Sequence, residues 1–213
     1  QKSVCTSDAE LAARVDYVQR TYGPGAVVEK LIVGRELHVA VVATPSGLVP
    51  LPFTEIFFPA PADGLPIWPI VTYDAKWREG SRDYQSTPYK NPADVTKELE
   101  RTVGDLAKRA FELIGCRDYA RVDFRVDGVD RPFILEVNPN PCIAPGAGVA
   151  ESLASYGIPY PDFVLDQVRA ALRRGGRASL AEQLRPVDHQ IALAAPAFPA
   201  FPSVPAGRPR PVP

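Results

Sequence analysis

The stretch from Tyr119 to Pro141, YARVDFRVDGVDRPFILEVNPNP, constrains this chain more than any other, because it has the form of a β-hairpin with two unlike faces. Two alternating runs, Ala120 to Val126 and Phe133 to Asn138, flank Asp127-Gly128, the usual signal of a short hairpin connection. Period two then sorts the side chains. Val122, Phe124 and Val126 share one face with Phe133, Leu135 and Val137, and Arg121, Asp123, Glu136 and Asn138 share the other. Pairing about a centre between Val129 and Asp130 predicts Asp123 opposite Glu136 and Arg121 opposite Asn138.

Directly opposed carboxylates repel, and a sheet avoids them unless something positive lies between. A divalent cation fills that role. Oxygen ligands from Asp, Glu and an Asn carbonyl suit Mg²⁺ better than zinc, and Mg²⁺ keeps its remaining positions for water and substrate phosphate. Arg121 beside such a metal is a fixed charge for a transferring phosphoryl group. The spacing also fits a half-exposed hairpin whose polar face meets water, with Arg121 and Arg125 pairing the acids.

A chain of 213 residues is long enough to bury a core, and its net charge of −1 gives no general attraction to nucleic acid. Cys5, Cys116 and Cys142 are scattered and odd in number, which suggests neither a disulfide framework nor a zinc cluster and fits a cytoplasmic protein. No apolar run has membrane-spanning length. The chain has no Met and opens on Gln1, which leads us to expect that it is a fragment with sequence upstream.

In chain order, Ser7-Asp8-Ala9-Glu10 reads as a capping box, and Leu11, Val15 and Val18 carry the helix that follows to about Tyr22. That helix is expected to pack on the next strand. Ala26 to Val33, Glu36 to Ala43 and Leu48 to Ile56 read as a three-strand meander at a sheet edge. Pro59 to Pro69 is loop. Asn91-Pro92 is expected to cap and start the longest helix, which Gly115 ends, with Val95, Leu99, Val103, Leu106, Ala110, Phe111 and Leu113 as its apolar stripe. Val149 to Tyr156, Asp162 to Arg173 and Ser179 to Leu184 read as three shorter helices. Seven of the eighteen residues from Pro196 to Pro213 are Pro, the composition of a disordered tail. Cys116 reads as a small buried hydrophobe.

RVDFRVDG followed by ILEVNPNP resembles the metal-binding hairpin of ATP-grasp ligases, in particular the D-alanine–D-alanine ligase branch. The resemblance implies that Asp123, Glu136 and Asn138 bind two Mg²⁺ ions, with Mn²⁺ as a substitute, and that Arg121 contacts phosphate. EKLIVGRE is similar to the family's nucleotide-contacting segment. It implies that Glu29 and the backbone around Lys30, Leu31 and Ile32 meet the adenine of ATP and that Glu36 holds the ribose. Tyr73-Asp74-Ala75-Lys76-Trp77 resembles the family's mobile loop, which makes Lys76 the lysine for the terminal phosphates. Beyond Asn138, the family's acceptor loop carries a Pro-Gly-Met-Thr type sequence and a Ser-Leu pair; here Cys142 stands at that Gly and no Ser follows, so an altered substrate loop containing Cys142, Gly146 and Ala147 is expected.

The fold implied is α+β, an ATP-grasp C-terminal subdomain with an antiparallel sheet and packed helices over residues 1–175, then an extension over 176–213. The function implied is amide bond formation from a carboxylate and an amine at the expense of ATP. Its substrates are amino acids or peptides, with neither nucleic acid nor membrane as partner, and a homodimer is compatible with it. A ligase for another amino acid or peptide, and a non-catalytic nucleotide-binding module, are the alternatives. The resemblance places two phosphate-binding lysines, a Gly-rich loop and the first substrate's site upstream, so the isolated chain is expected to be inactive.

Overall fold

The computed structural model describes residues 3–59 and 68–185. Strands β1 (Arg35–Thr44), β2 (Gly47–Pro50), β3 (Thr54–Ile56), β4 (Tyr89–Lys90), β5 (Tyr119–Val126) and β6 (Pro132–Asn138) build one antiparallel sheet. Its order is β4-β3-β1-β5-β6, with β2 folded back on β1. Helices α1 (Asp8–Tyr22), α2 (Tyr73–Trp77), α3 (Arg82–Gln85), α4 (Lys97–Ile114), α5 (Gly148–Tyr156), α6 (Tyr160–Arg174) and α7 (Ala178–Gln183) surround it. The architecture is α+β, as the hairpin and the long amphipathic helix imply.

The alternating strands make two cores. On one face Leu37, Val39 and Val41 of β1 and Val122, Phe124 and Val126 of β5 pack under Leu99, Val103, Ala107, Ala110 and Phe111 of α4. On the other face Ala40, Val42 and Leu51 pack under Val149 and Leu153 of α5 and Phe163 of α6. This second core covers one end of its face, and the other end of β1 and β5 borders a cleft.

The meander lies differently from expectation. β1 is central, paired with β5 along most of its length and on its other edge with β3 at Glu36, Leu37 and His38 and with β2 from Val41 to Thr44, and the expected third strand is two short ones interrupted at Leu51-Pro52-Phe53. The expected strand over 26–33 is irregular: it joins no ladder, and Val27, Val28 and Val33 are exposed. With no sheet there to pack on, α1 has no fully buried residue, although Ser7 caps it through the Glu10 N–H and Glu10 reaches back to the Thr6 N–H at 2.7 Å. The YDAKW segment is not a loop but the helix α2, started by the Thr72 side chain accepting from the Ala75 N–H.

The longest helix starts at Lys97, not at Asn91-Pro92, and Thr96 is its cap. Asn91 is drawn elsewhere: its Nδ2 donates to Thr54 Oγ1 at 2.7 Å and Ser152 Oγ at 2.8 Å, and its Oδ1 accepts from Ser155 Oγ at 2.6 Å. The next residues follow it onto the sheet, where the Ala93 N–H donates to the Phe53 carbonyl. Leu113 leaves the stripe and is 82% exposed, since it stands two residues, about 200°, beyond the buried Phe111. Gly115 ends the helix in the left-handed conformation, as expected, and the half-buried Cys116 packs against the core, where burial pushes its thiol up. α7 docks on α6, with Ala181 buried and Arg169 donating to the Leu184 carbonyl. Most of the Pro59–Pro69 stretch and all of the tail from Pro196 lie outside the described residues.

Candidate active site

The hairpin register agrees with the sequence at its chemical end: Arg121 faces Asn138, Val122 faces Val137 and Asp123 faces Glu136. Beyond that point it slips, because a β-bulge at Leu135 brings Phe124 opposite Ile134 and Arg125 opposite Phe133. Phe133 and Leu135 therefore leave the oily face on which alternation places them. With Ile134 they are exposed and line the cleft, and only Val137 of the three expected core residues of β6 packs against the core. Asp127 closes the hairpin by accepting N–H bonds from Val129 and Arg131 on one carboxylate oxygen.

Pairing of β1 with β5 completes the polar surface, since Glu36 faces Arg125 and His38 faces Asp123. The charges then alternate across three strands. Arg125 Nη2 lies 2.9 Å from Glu36 Oε2, and His38 Nε2 lies 3.1 Å from Glu36 Oε1 and 3.7 Å from Asp123 Oδ2. Arg121 grips Asp123 with two bonds of 2.6 and 2.7 Å and approaches Glu136 at 3.6 Å. Glu36, Asp123 and Arg125 are buried, whereas the Glu136 side chain is half exposed. Burial alone raises the Asp123 carboxyl, but the neighbouring His38, Arg121 and Lys76 outweigh it and hold the group below the usual carboxylate range. Burial pushes the Arg125 guanidinium down, with Glu36 working against it. Burial also acts against Arg121, but Asp123 and Glu136 more than compensate and raise it.

Arg125 ties this surface to its surroundings. It donates to the carbonyls of Gly34 and Pro69 and lies over the Phe58 ring at 4.9 Å. Gly34 must be glycine, because its φ is +154° and an added Cβ would meet the Val126 carbonyl oxygen at 2.0 Å. That close approach brings the EKLIVGRE segment against the end of β5.

A cleft of about 1050 Å³ opens over the polar surface. It brings together Glu29, Lys30, Leu31, Ile32, Glu36, Lys76, Asp123 and Glu136, eight residues singled out in three separate sequence segments. Arg121, Asn138, Cys142, Gly146 and Ala147 are outside its lining. Asn138 ends β6, and its Oδ1 accepts from the Asn140 N–H at 3.0 Å, leaving that oxygen a second lone pair. Cys142 is exposed, Gly146 has φ +83° and Ala147 is the N-cap of α5 without a side-chain cap bond.

Sequence reasoning missed His38 and treated Arg125 only as a partner for the acids. The signal for both was the same alternation, which puts His38 on the face of Glu36 and Arg125 on the face of Asp123. Among the described residues no three His, Cys, Asp or Glu side chains converge as a preformed metal cluster. The donor chemistry still fits Mg²⁺. Two carboxylates stand in register with an Asn carbonyl two residues on, and all three are oxygen donors; Arg121 here holds Asp123 and approaches Glu136.

The sequence model of the family described as D-ala D-ala ligase C-terminus matches residues 2–169, most of the chain. The chain belongs to this family, the C-terminal part of the ATP-grasp ligases. A D-alanine–D-alanine ligase of Novosphingobium aromaticivorans is 35% identical over 155 residues, covering 71% of this chain and 44% of the relative. One from Desulforudis audaxviator is 34% identical over 167 residues, covering 78% and 50%. The chain thus spans about half the length of these curated relatives. Among solved structures, the D-alanine–D-alanine ligase of Bacillus anthracis complexed with ATP superposes with a TM-score of 0.60 at 21% identity, covering 79% of this chain and 48% of that one. The D-alanyl-alanine synthetase A of Vibrio cholerae gives 0.64 at 19% identity, covering 79% and 47%. At such identities the likeness establishes the ATP-grasp fold. Among the described residues no helix is long and apolar enough to cross a membrane.

Proposed function

We propose that the full-length protein is an ATP-dependent carboxylate–amine ligase, and that this chain supplies its nucleotide and metal half. The observation that carries the reading is the meeting of three separate segments, EKLIVGRE, YDAKW and the hairpin, around one cleft, with Asp123 and Glu136 paired at its floor. Asp123, Glu136 and Asn138 hold one or two Mg²⁺ ions, which neutralise the phosphates of the nucleotide. Glu29 and the backbone of Lys30 to Ile32 meet the adenine edge, Leu31 and Ile32 give it an apolar slot, and Glu36 accepts from the ribose hydroxyls.

In the reaction a substrate carboxylate takes the terminal phosphoryl group of ATP, giving an acyl phosphate and ADP. An amine then attacks the acyl carbon, phosphate leaves, and the amine gives up a proton as the amide forms. Lys76, at the cleft wall, and Arg121, on the hairpin, stabilise the charge that develops on the moving phosphoryl group. Closure of the α2 segment shields the acyl phosphate from water.

The acceptor is an amino acid or a short peptide, as the ligases among the relatives suggest. The loop we assign to it carries the exposed Cys142, and Ala147 puts no polar side chain at the head of α5. The isolated chain turns over little, because the first substrate's site and further phosphate contacts belong to the rest of the enzyme. The test is to incubate the full-length protein with Mg·ATP and a panel of amino acids and dipeptides while following ADP and new amide products by mass spectrometry. Release of ADP matched by one amide product supports the proposal. Nucleotide binding without ADP release on any substrate leaves a non-catalytic module instead.

A further inference from the structure

His38 borders the candidate site, yet neither the sequence motifs nor the proposed reaction gives it work. It sits on central strand β1 with Asp123 and Thr54 as its two cross-strand partners. Asp123 is not its hydrogen-bond partner: Arg121 already binds both Asp123 oxygens, and the His38 contact of 3.7 Å is beyond hydrogen-bond distance. The short contact is to Glu36, 3.1 Å from Nε2 to Oε1. The other Glu36 oxygen is taken by Arg125 at 2.9 Å.

A Glu carboxylate turns easily about its last torsion, which is broad and roughly two-fold. A hydrogen bond from His38 on one oxygen and the ion pair with Arg125 on the other hold that torsion. Each oxygen keeps a second lone pair, so the fixed carboxylate presents two acceptors, the number that the two neighbouring hydroxyls of a ribose require. Holding this geometry before the ligand arrives lowers the ordering cost of binding. We propose that His38 is a positioning residue that fixes the Glu36 carboxylate for the ribose of a bound nucleotide. The inference rests on the nucleotide reading given above.

The test compares affinities of the full-length protein for Mg·ATP and Mg·2′,3′-dideoxy-ATP by calorimetry, for the wild type, His38→Leu and His38→Gln. Loss of one hydrogen bond to a charged group predicts that His38→Leu raises the Kd for ATP roughly tenfold. The Kd for dideoxy-ATP, which lacks both hydroxyls, moves by less than about twofold, because the lost bond serves only the ribose. His38→Gln, whose amide N–H can still donate to Glu36, stays within roughly threefold of the wild type for ATP. Equal losses for both nucleotides, or none for either, overturn the inference, since a merely structural histidine does not distinguish them. A wild type that binds the two equally removes the ribose role of Glu36 and this inference, while leaving the metal and phosphate site. A wild type that binds neither removes the nucleotide reading itself. The same ratio is read from His38→Ala if the Leu variant does not fold.

Discussion

On the sheet face opposite α4, strands β1 and β5 pass from one kind of surface to another within a few residues. At the end marked by Ala40, Val42 and Tyr119, helices α5 and α6 seal the strands with Val149, Leu153 and Phe163. At the end marked by Glu36, His38, Asp123 and Arg125 the same strands border the cleft, and the side chains are polar or charged although three of the four are buried. Stability comes to the first end through apolar burial. The second end is held by charges matched to one another and by its continuity with strands anchored at the first end and under α4. A site built this way is rigid because its strands are core strands, and poised because each buried charge already has a partner that a ligand can replace.

Substitutions at the two ends separate these roles. The largest effect is expected for Arg125→Met, which leaves Glu36 buried beside a lost partner and unties Gly34 and Pro69 from the sheet. Denaturant unfolding should show a loss of about 3–5 kcal/mol, and nucleotide binding should weaken with it. Phe163→Ala, at the sealed end, should cost a similar 3–5 kcal/mol by opening a cavity against Tyr119, yet leave the nucleotide Kd of the folded protein unchanged. If Phe163→Ala weakens binding as Arg125→Met does, the two ends are not separable.

Asn91→Ala sharpens the boundary between them. It leaves the Thr54 and Ser152 hydroxyls without their donor where β3 meets α5, and about 1–3 kcal/mol of stability should be lost. The smallest effect is expected for Leu113→Ser, within about 0.5 kcal/mol, because that side chain faces water. A larger loss would show that the apolar face of α4 extends farther than the buried residues indicate.

Much of this was legible in the residues. Alternation gave the faces of β5 and the opposition of Asp123 and Glu136, and the capping box gave the start of α1. What alternation cannot show is a bulge, since one extra residue at Leu135 reverses every side chain between it and the turn; that is why Phe133 lines the cleft and not the core. The start of α4 departs from expectation for a related reason. Asn-Pro is a good helix opening in isolation, but Asn91 has tertiary partners in Thr54, Ser152 and Ser155 that outbid a cap. The 26–33 segment has strand composition and no ladder, because a strand needs a neighbouring edge as well as β-branched residues. His38 shares the face of Glu36 by the same alternation but belongs to none of the motifs.

The central claim is that the open end of this sheet face is a metal-dependent nucleotide site. Its most direct test is a calorimetric titration of ATP into the full-length protein with and without Mg²⁺, with Glu136→Ala alongside. Glu136 is half exposed, so its loss should leave the fold intact while removing a metal ligand. Mg²⁺-dependent binding that is lost in the variant is the result predicted here. Binding of equal strength in both proteins, or in neither, would contradict it.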